Sequence, residues 1–121
     1  MRPEELLYPI IVVDDDQWMY VYSSSGQLVR EIEPAFLDDI TATFDGLARS
    51  LGFALDETSE GVLAELQSPD SGLTRLQLHV DEFFTTWTQD EPPERVSDPG
   101  EYTTSVSQAY QRKRERRKKN A

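Results

Sequence analysis

Three consecutive carboxylates, Asp14-Asp15-Asp16, and a lone imidazole, His79, are the residues of this chain whose types point to chemistry. Carboxylate oxygens suit a hard cation such as Ca²⁺ or Mg²⁺. An EF-hand-like loop spaces its acids, inserts a Gly and ends on a distal Glu, and none of that pattern is here. The run therefore reads as a solvated turn between strands that also forms part of an acidic docking face. His79 stands near Asp81 and Glu82, the make-up of a general base. Catalysis would also need a nucleophile or a substrate pocket. The chain has no Gly-rich phosphate loop, no His-Glu-x-x-His and no Gly-x-Ser-x-Gly. Asp56, Glu57, Glu60 and Glu65 have the types of a glycosidase acid/base pair, but in so acidic a chain carboxylate pairs fall everywhere. With no Cys, thiolate metal sites, disulfides and Cys nucleophiles are excluded. The expectation is a protein that is not an enzyme and carries neither metal nor cofactor.

Charge is the stronger signal, because it is sorted by position. Residues 1–100 hold 21 of the 23 acidic residues against five Arg and no Lys, a formal charge of −16. The last 21 residues carry +5, from Arg112, Lys113, Arg114, Arg116, Arg117, Lys118 and Lys119 against two Glu. An acidic body repels nucleic acid and anionic membrane, attracts basic proteins and speeds encounter with them. The basic cluster either binds anions weakly, nucleic acid among them, or folds back on the acidic body. Its only aromatics are Tyr102 and Tyr110, too few for sequence-specific base stacking.

These residues need elements to position them. Tyr8–Asp14 is a β-branched run fitting a buried strand, and Asp14–Gln17 a tight turn. Trp18–Tyr22 alternates, placing Trp18, Tyr20 and Tyr22 on one face as either core or aromatic docking surface. Ser23–Gly26 is a second turn and Gln27–Ile32 a third strand, completing an antiparallel meander. After Pro34, Leu37, Ile40, Phe44, Leu47, Ala48 and Leu51 fall at i, +3, +7, +10, +11 and +14, which predicts a four-turn amphipathic helix capped by Gly52. A strand over Val62–Gln67 and a turn over Ser68–Gly72 follow. Leu73–Val80 alternates as a strand with His79 on its outer face, and residues 81–88 read as helix or strand. Residues 89–100, with three Pro, read as an exposed linker. The expected fold is α+β: a small single domain over 1–88, with an N-terminal antiparallel meander and one helix on a mostly antiparallel sheet. A Pro-rich acidic linker (89–100) and a disordered or helical basic tail (101–121) complete it. No apolar run reaches the ~18–20 residues of a membrane span. Met1–Glu5 lacks the basic start of a secretory signal, so a cytoplasmic protein is expected.

In size, acidity and lack of Cys, residues 6–88 resemble in character the small α+β immunity proteins of bacterial toxin systems. These cap a basic toxin, often a nuclease, with a carboxylate-rich face. Phe44–Phe53 and Gly61–Leu66 are similar to the Leu-Gly step between helix and twisted sheet of type III secretion chaperones, although the strands of Ile10–Ile32 depart from that pattern. The functional expectation is a non-catalytic, inhibitor- or immunity-like module that masks a basic partner protein, such as a toxin or nuclease. Asp14, Asp15, Asp16, Trp18, Tyr20, Asp56, Glu57, Glu60, Asp81 and Glu82 would meet the partner. The alternatives are a chaperone or adaptor, and an assembly component anchored by the basic tail.

Overall fold

The computed structural model describes residues 2–55 and 62–120, with side chains as far as Lys113. The run Ile10–Asp14 forms β1, buried at every position. It pairs antiparallel with β2 (Met19–Tyr22) on one side and β3 (Ile40–Phe44) on the other. β4 (Arg49–Leu55) and β5 (Val62–Ser71) extend the sheet in the order β2-β1-β3-β4-β5. A strand buried on both faces needs cover on both, which is why its sequence is continuously apolar rather than alternating.

Alternation sends Ile11, Val13, Met19, Val21, Ala42 and Phe44 to one face. There they meet Leu76, Val80 and Phe83 of α2 (Leu73–Phe83), and Tyr102 and Val106 of α3 (Pro99–Asn120). Ile10, Val12 and Tyr22 go to the other face and meet Leu6, Ile32 and Leu28 of α1 (Ser25–Glu31). The chain is thus a small single α+β domain, as its sequence suggests.

Several elements differ from the sequence reading. Residues 25–31 are a helix, not a third strand. Ser24 caps it, accepting the Gln27 N–H at 3.2 Å, while Gln27 Oε1 accepts the Ser23 N–H at 2.9 Å. The Ser24 cap satisfies an N–H that the helix start leaves open, and Gln27 ties the residue before the cap to the first turn. Residues 34–51 are not one amphipathic helix. Pro34–Asp39 is a short 3₁₀ turn, and β3 and β4 follow as a hairpin. β-branched Thr41 and Thr43 favour strand, and Asp45-Gly46 is a hairpin-turn dipeptide that a helix interior would penalise. Gly46 must also be Gly here: a Cβ would lie 2.6 Å from the Tyr8 carbonyl oxygen.

Leu73–Val80 is helical rather than extended. Leu73, Leu76, Gln77, Val80, Phe83 and Phe84 share one face at i, +3, +4, +7, +10 and +11, so the helix buries more than a strand of alternating residues would. Leu78, expected inward, is 59% exposed. Phe84–Thr88 continues as a π-helical turn that ends at Gln89, with φ +58°. The core does not stop at Thr88. Val96 packs against it, Gln77 Nε2 donates to the Val96 carbonyl at 3.4 Å, and Tyr102, Thr103 and Val106 are buried. Asp98 starts α3 by accepting the Glu101 N–H at 2.9 Å, ahead of Pro99. The Thr103 hydroxyl donates to the Gly46 carbonyl at 2.7 Å and so ties α3 to the β3–β4 turn. No helix among the described residues is long and apolar enough to cross a membrane.

Candidate protein-binding face

The three acids of the β1–β2 turn do different things. Asp14 is buried, and its Oδ1 accepts the Asp16 and Trp18 N–H groups at 3.0 and 2.9 Å. Its Oδ2 accepts the Tyr20 hydroxyl at 3.2 Å. Asp14 therefore builds the turn rather than facing a partner. Asp15 and Asp16 are exposed on the loop it holds. One carboxylate oxygen from each of the three lies within 4.8 Å of the others, and the donors Asp14 already accepts occupy its share of that cluster.

The Asp15 N–H donates to the Asp39 carbonyl at 2.9 Å, which brings exposed Asp38 and Asp39 beside the loop. The Trp87 indole donates from Nε1 to the Asp16 carbonyl at 3.3 Å and is 46% exposed. Trp18 stands edge-on to Phe83 and Trp87, at 5.1 and 5.3 Å between ring centroids. One end of the sheet thus carries Asp15, Asp16, Asp38 and Asp39, with a half-exposed indole on the Asp16 carbonyl. The ion pairs found among the described residues join Asp45 to Arg49, Asp81 to Arg95 and Asp90 to Lys113. None of these involves those four carboxylates, which stand as like charges close together.

The other residues expected at a partner surface are dispersed. Tyr20 is half-buried against Phe36 at 5.2 Å, and its phenol is pushed up to about 12 by burial first and then by the Asp14 charge. Asp81 is held by Arg95, leaving Glu82 exposed one turn before the indole, where it accepts the Thr86 hydroxyl at 3.3 Å. Asp56, Glu57 and Glu60 lie outside the described residues, as do the side chains of Arg114, Arg116, Arg117, Lys118 and Lys119. Arg112 is exposed, while Lys113 folds back on the body, 2.7 Å from Asp90 Oδ2. His79 sits on α2, not on an outer strand face. Its Nδ1 is 3.2 Å from Gln17 Oε1, and burial, followed by nearby Arg75, lowers its pKa.

Asp38, Asp39 and Trp87 are the members of this face that sequence reasoning missed. With residues 34–51 read as a helix, the two Asp fall in its first turns, away from the β1–β2 loop. Only the β1–β3 pairing reveals that they adjoin Asp15. No protein-family model, no curated protein and no solved structure matches this chain.

Proposed function

We propose that this protein is a non-catalytic binding module of the inhibitor or immunity type, whose acidic end masks a basic partner protein. The observation that supports this reading is the grouping of Asp15 and Asp16 with Asp38 and Asp39 across the Asp15–Asp39 bond, none of them ion-paired among the described residues, with the exposed Trp87 indole seated on the Asp16 carbonyl. Exposed like charges steer a cationic surface into encounter. An indole beside them supplies desolvated contact and a π-face for Lys or Arg, which charge alone does not.

The test uses the immobilised full-length chain and a variant with Asp15, Asp16, Asp38 and Asp39 all changed to Asn. Both are exposed to lysate of the source cells at low and high salt. The reading expects one basic protein retained by the wild type alone, an association rate that falls as salt rises, and loss of that protein's own activity in the complex. Equal retention by both chains, at either salt, would refute it.

A further inference from the structure

Residues 89–98 run from the end of α2 to the start of α3 without helix or strand, and none of them is buried. They form a strap whose contact with the core is Val96. Its other attachments are polar. Arg95 Nε donates to Asp81 Oδ2 at 3.2 Å, Gln77 Nε2 donates to the Val96 carbonyl at 3.4 Å, and Lys113 Nζ stands 2.7 Å from Asp90 Oδ2. The four side chains of the two ion pairs are 31–50% exposed. Pairs so open to water hold weakly and exchange readily with other ions.

The closed strap also carries two local costs. Gln89, where it begins, is held at φ +58°, a region in which a side chain is strained. Tyr102 is fully buried, and its hydroxyl has no hydrogen-bond partner among the described residues. The charges that act on that hydroxyl are Asp81 and Arg95, the pair that fastens the strap, and Val96 packs on the cluster to which Tyr102 belongs. A buried hydroxyl without a partner has lost its water for nothing in return. Lifting the strap lets Gln89 relax and water return to Tyr102. Weak fastenings set against two built-in costs make a segment with two states of similar free energy.

Opening changes the charge that α2 presents. With the strap closed, Asp81 is neutralised by Arg95 from the same chain, next to exposed Glu82. With the strap lifted, Asp81 and Glu82 stand together as an unneutralised pair of carboxylates. A cation arriving from outside competes with Arg95 for Asp81, and by binding the open state it shifts the population toward it.

We propose that residues 89–98 are an autoinhibitory strap: Arg95 occupies Asp81 in place of a partner's cation, and a basic partner opens the strap by displacing it. This rests on the basic-partner reading and adds to it a conformational step that the partner drives.

The experiment is NMR relaxation dispersion on isotopically labelled full-length protein, which reads the population of a minor state exchanging in microseconds to milliseconds. The expected result is exchange centred on Arg95 and Val96 and felt at Gln77, Asp81 and Tyr102. Asp81→Asn, which loosens a fastening, should raise the open population about two- to fivefold. Tyr102→Phe, which removes the orphaned hydroxyl, should lower it at least about threefold. A capped hexa-arginine peptide should raise it in the wild type and leave it unchanged in Asp81→Asn. A strap without exchange, or one that the two variants shift in the same direction, overturns the proposal. Peptide-induced shifts at Asp15 and Asp16 with no rise in the open population overturn the strap while leaving the acidic docking face intact. A peptide that shifts nothing overturns the strap whether or not a basic protein is captured, and failure of that capture as well removes both proposals.

Discussion

Asp14 and Asp45 close their two hairpins with the same set of bonds. In each, Oδ1 accepts the N–H groups two and four residues on: Asp16 and Trp18 for the first, Leu47 and Arg49 for the second, all at 2.9–3.0 Å. In each, the Asp N–H donates to the carbonyl four residues on at 3.0 Å, and the third following residue has positive φ, Gln17 at +62° and Ala48 at +59°. Asp45 goes further. It is 1% exposed, and its Oδ2 also takes the Arg49 guanidinium at 2.7 Å. Asp45→Ala orphans two N–H groups and a partly buried cation, and is expected to cost about 3 kcal/mol. Asp14→Ala leaves two N–H groups and a phenol that water can reach, and is expected to cost about 1–2 kcal/mol. Urea titrations of the two variants check the order. An Asp14 variant as unstable as the Asp45 variant would mean that the Arg49 pair contributes nothing.

Gly46 tests how tightly the β3–β4 turn is held from both sides. Its N–H donates to the Leu7 carbonyl at 2.7 Å and its carbonyl accepts Thr103. An added methyl would meet backbone, not a movable side chain, at 2.6 Å from the Tyr8 oxygen and 3.1 Å from the Leu7 oxygen. Gly46→Ala is therefore expected to destabilise by about 2–3 kcal/mol, despite the usual gain from removing Gly. Thermal melting reads this directly, and an unchanged midpoint would show that the N-terminal segment moves aside at no cost.

Gln89 predicts the opposite sign. It ends the α2 extension in the left-handed region at φ +58°, and its side chain is exposed. That is the position where helices prefer Gly, because a Cβ there is strained. Gln89→Gly is expected to raise stability by about 0.5–1 kcal/mol, with the extra entropy of the unfolded chain already offset against the relieved strain. A lowered denaturation midpoint would contradict it.

What could be read from the sequence follows the range of the forces involved. Ile10–Val13, the acidic turn and the alternation of Met19 and Val21 are local, and they form the strands and hairpin expected of them. The spacing from Leu37 to Leu51 misled because a 3.6-residue pattern also fits two short strands when the residues between them turn. The decisive signal was Asp45-Gly46: the Asp carboxylate holds the N–H groups of the turn and Gly admits the Tyr8 carbonyl, and this outweighs periodicity. Leu73–Val80 misled in reverse: the helical phase running from Val80 to Trp87 extends backward through Leu76 and Leu73, and alternation was the coincidence. The tail, read as disordered or helical, is a helix, and its part in the core was hidden for a non-local reason. Tyr102 and Val106 join residues of α2 and of one sheet face in a cluster that no neighbour in sequence reveals. Likewise Asp15 and Asp16 stand out as acids, but their partnership with Asp38, Asp39 and Trp87 exists only after β1 pairs with β3.

Tyr102 makes the alkaline limb of stability testable. It is fully buried, its hydroxyl has no hydrogen-bond partner among the described residues, and its pKa is raised by burial and then by the Asp81 charge, with Arg95 opposing. Tyr20 and Tyr22 shift in the same direction, Tyr20 to about 12. A free phenol ionises near 10. Raising the pH above that value deprotonates the unfolded chain first, so these groups contribute stability that is whole below pH 10. That stability is lost as pH rises from 10 through the folded values, for Tyr20 about 12. Tyr102→Phe removes one such group without breaking a bond. It is expected to leave stability at neutral pH unchanged or slightly higher, and to make the loss above pH 10 less steep. Denaturant midpoints measured across that range for both chains decide the matter. If the two curves run parallel, the Tyr102 hydroxyl ionises as readily inside the fold as outside it, and the core around α3 is open to water.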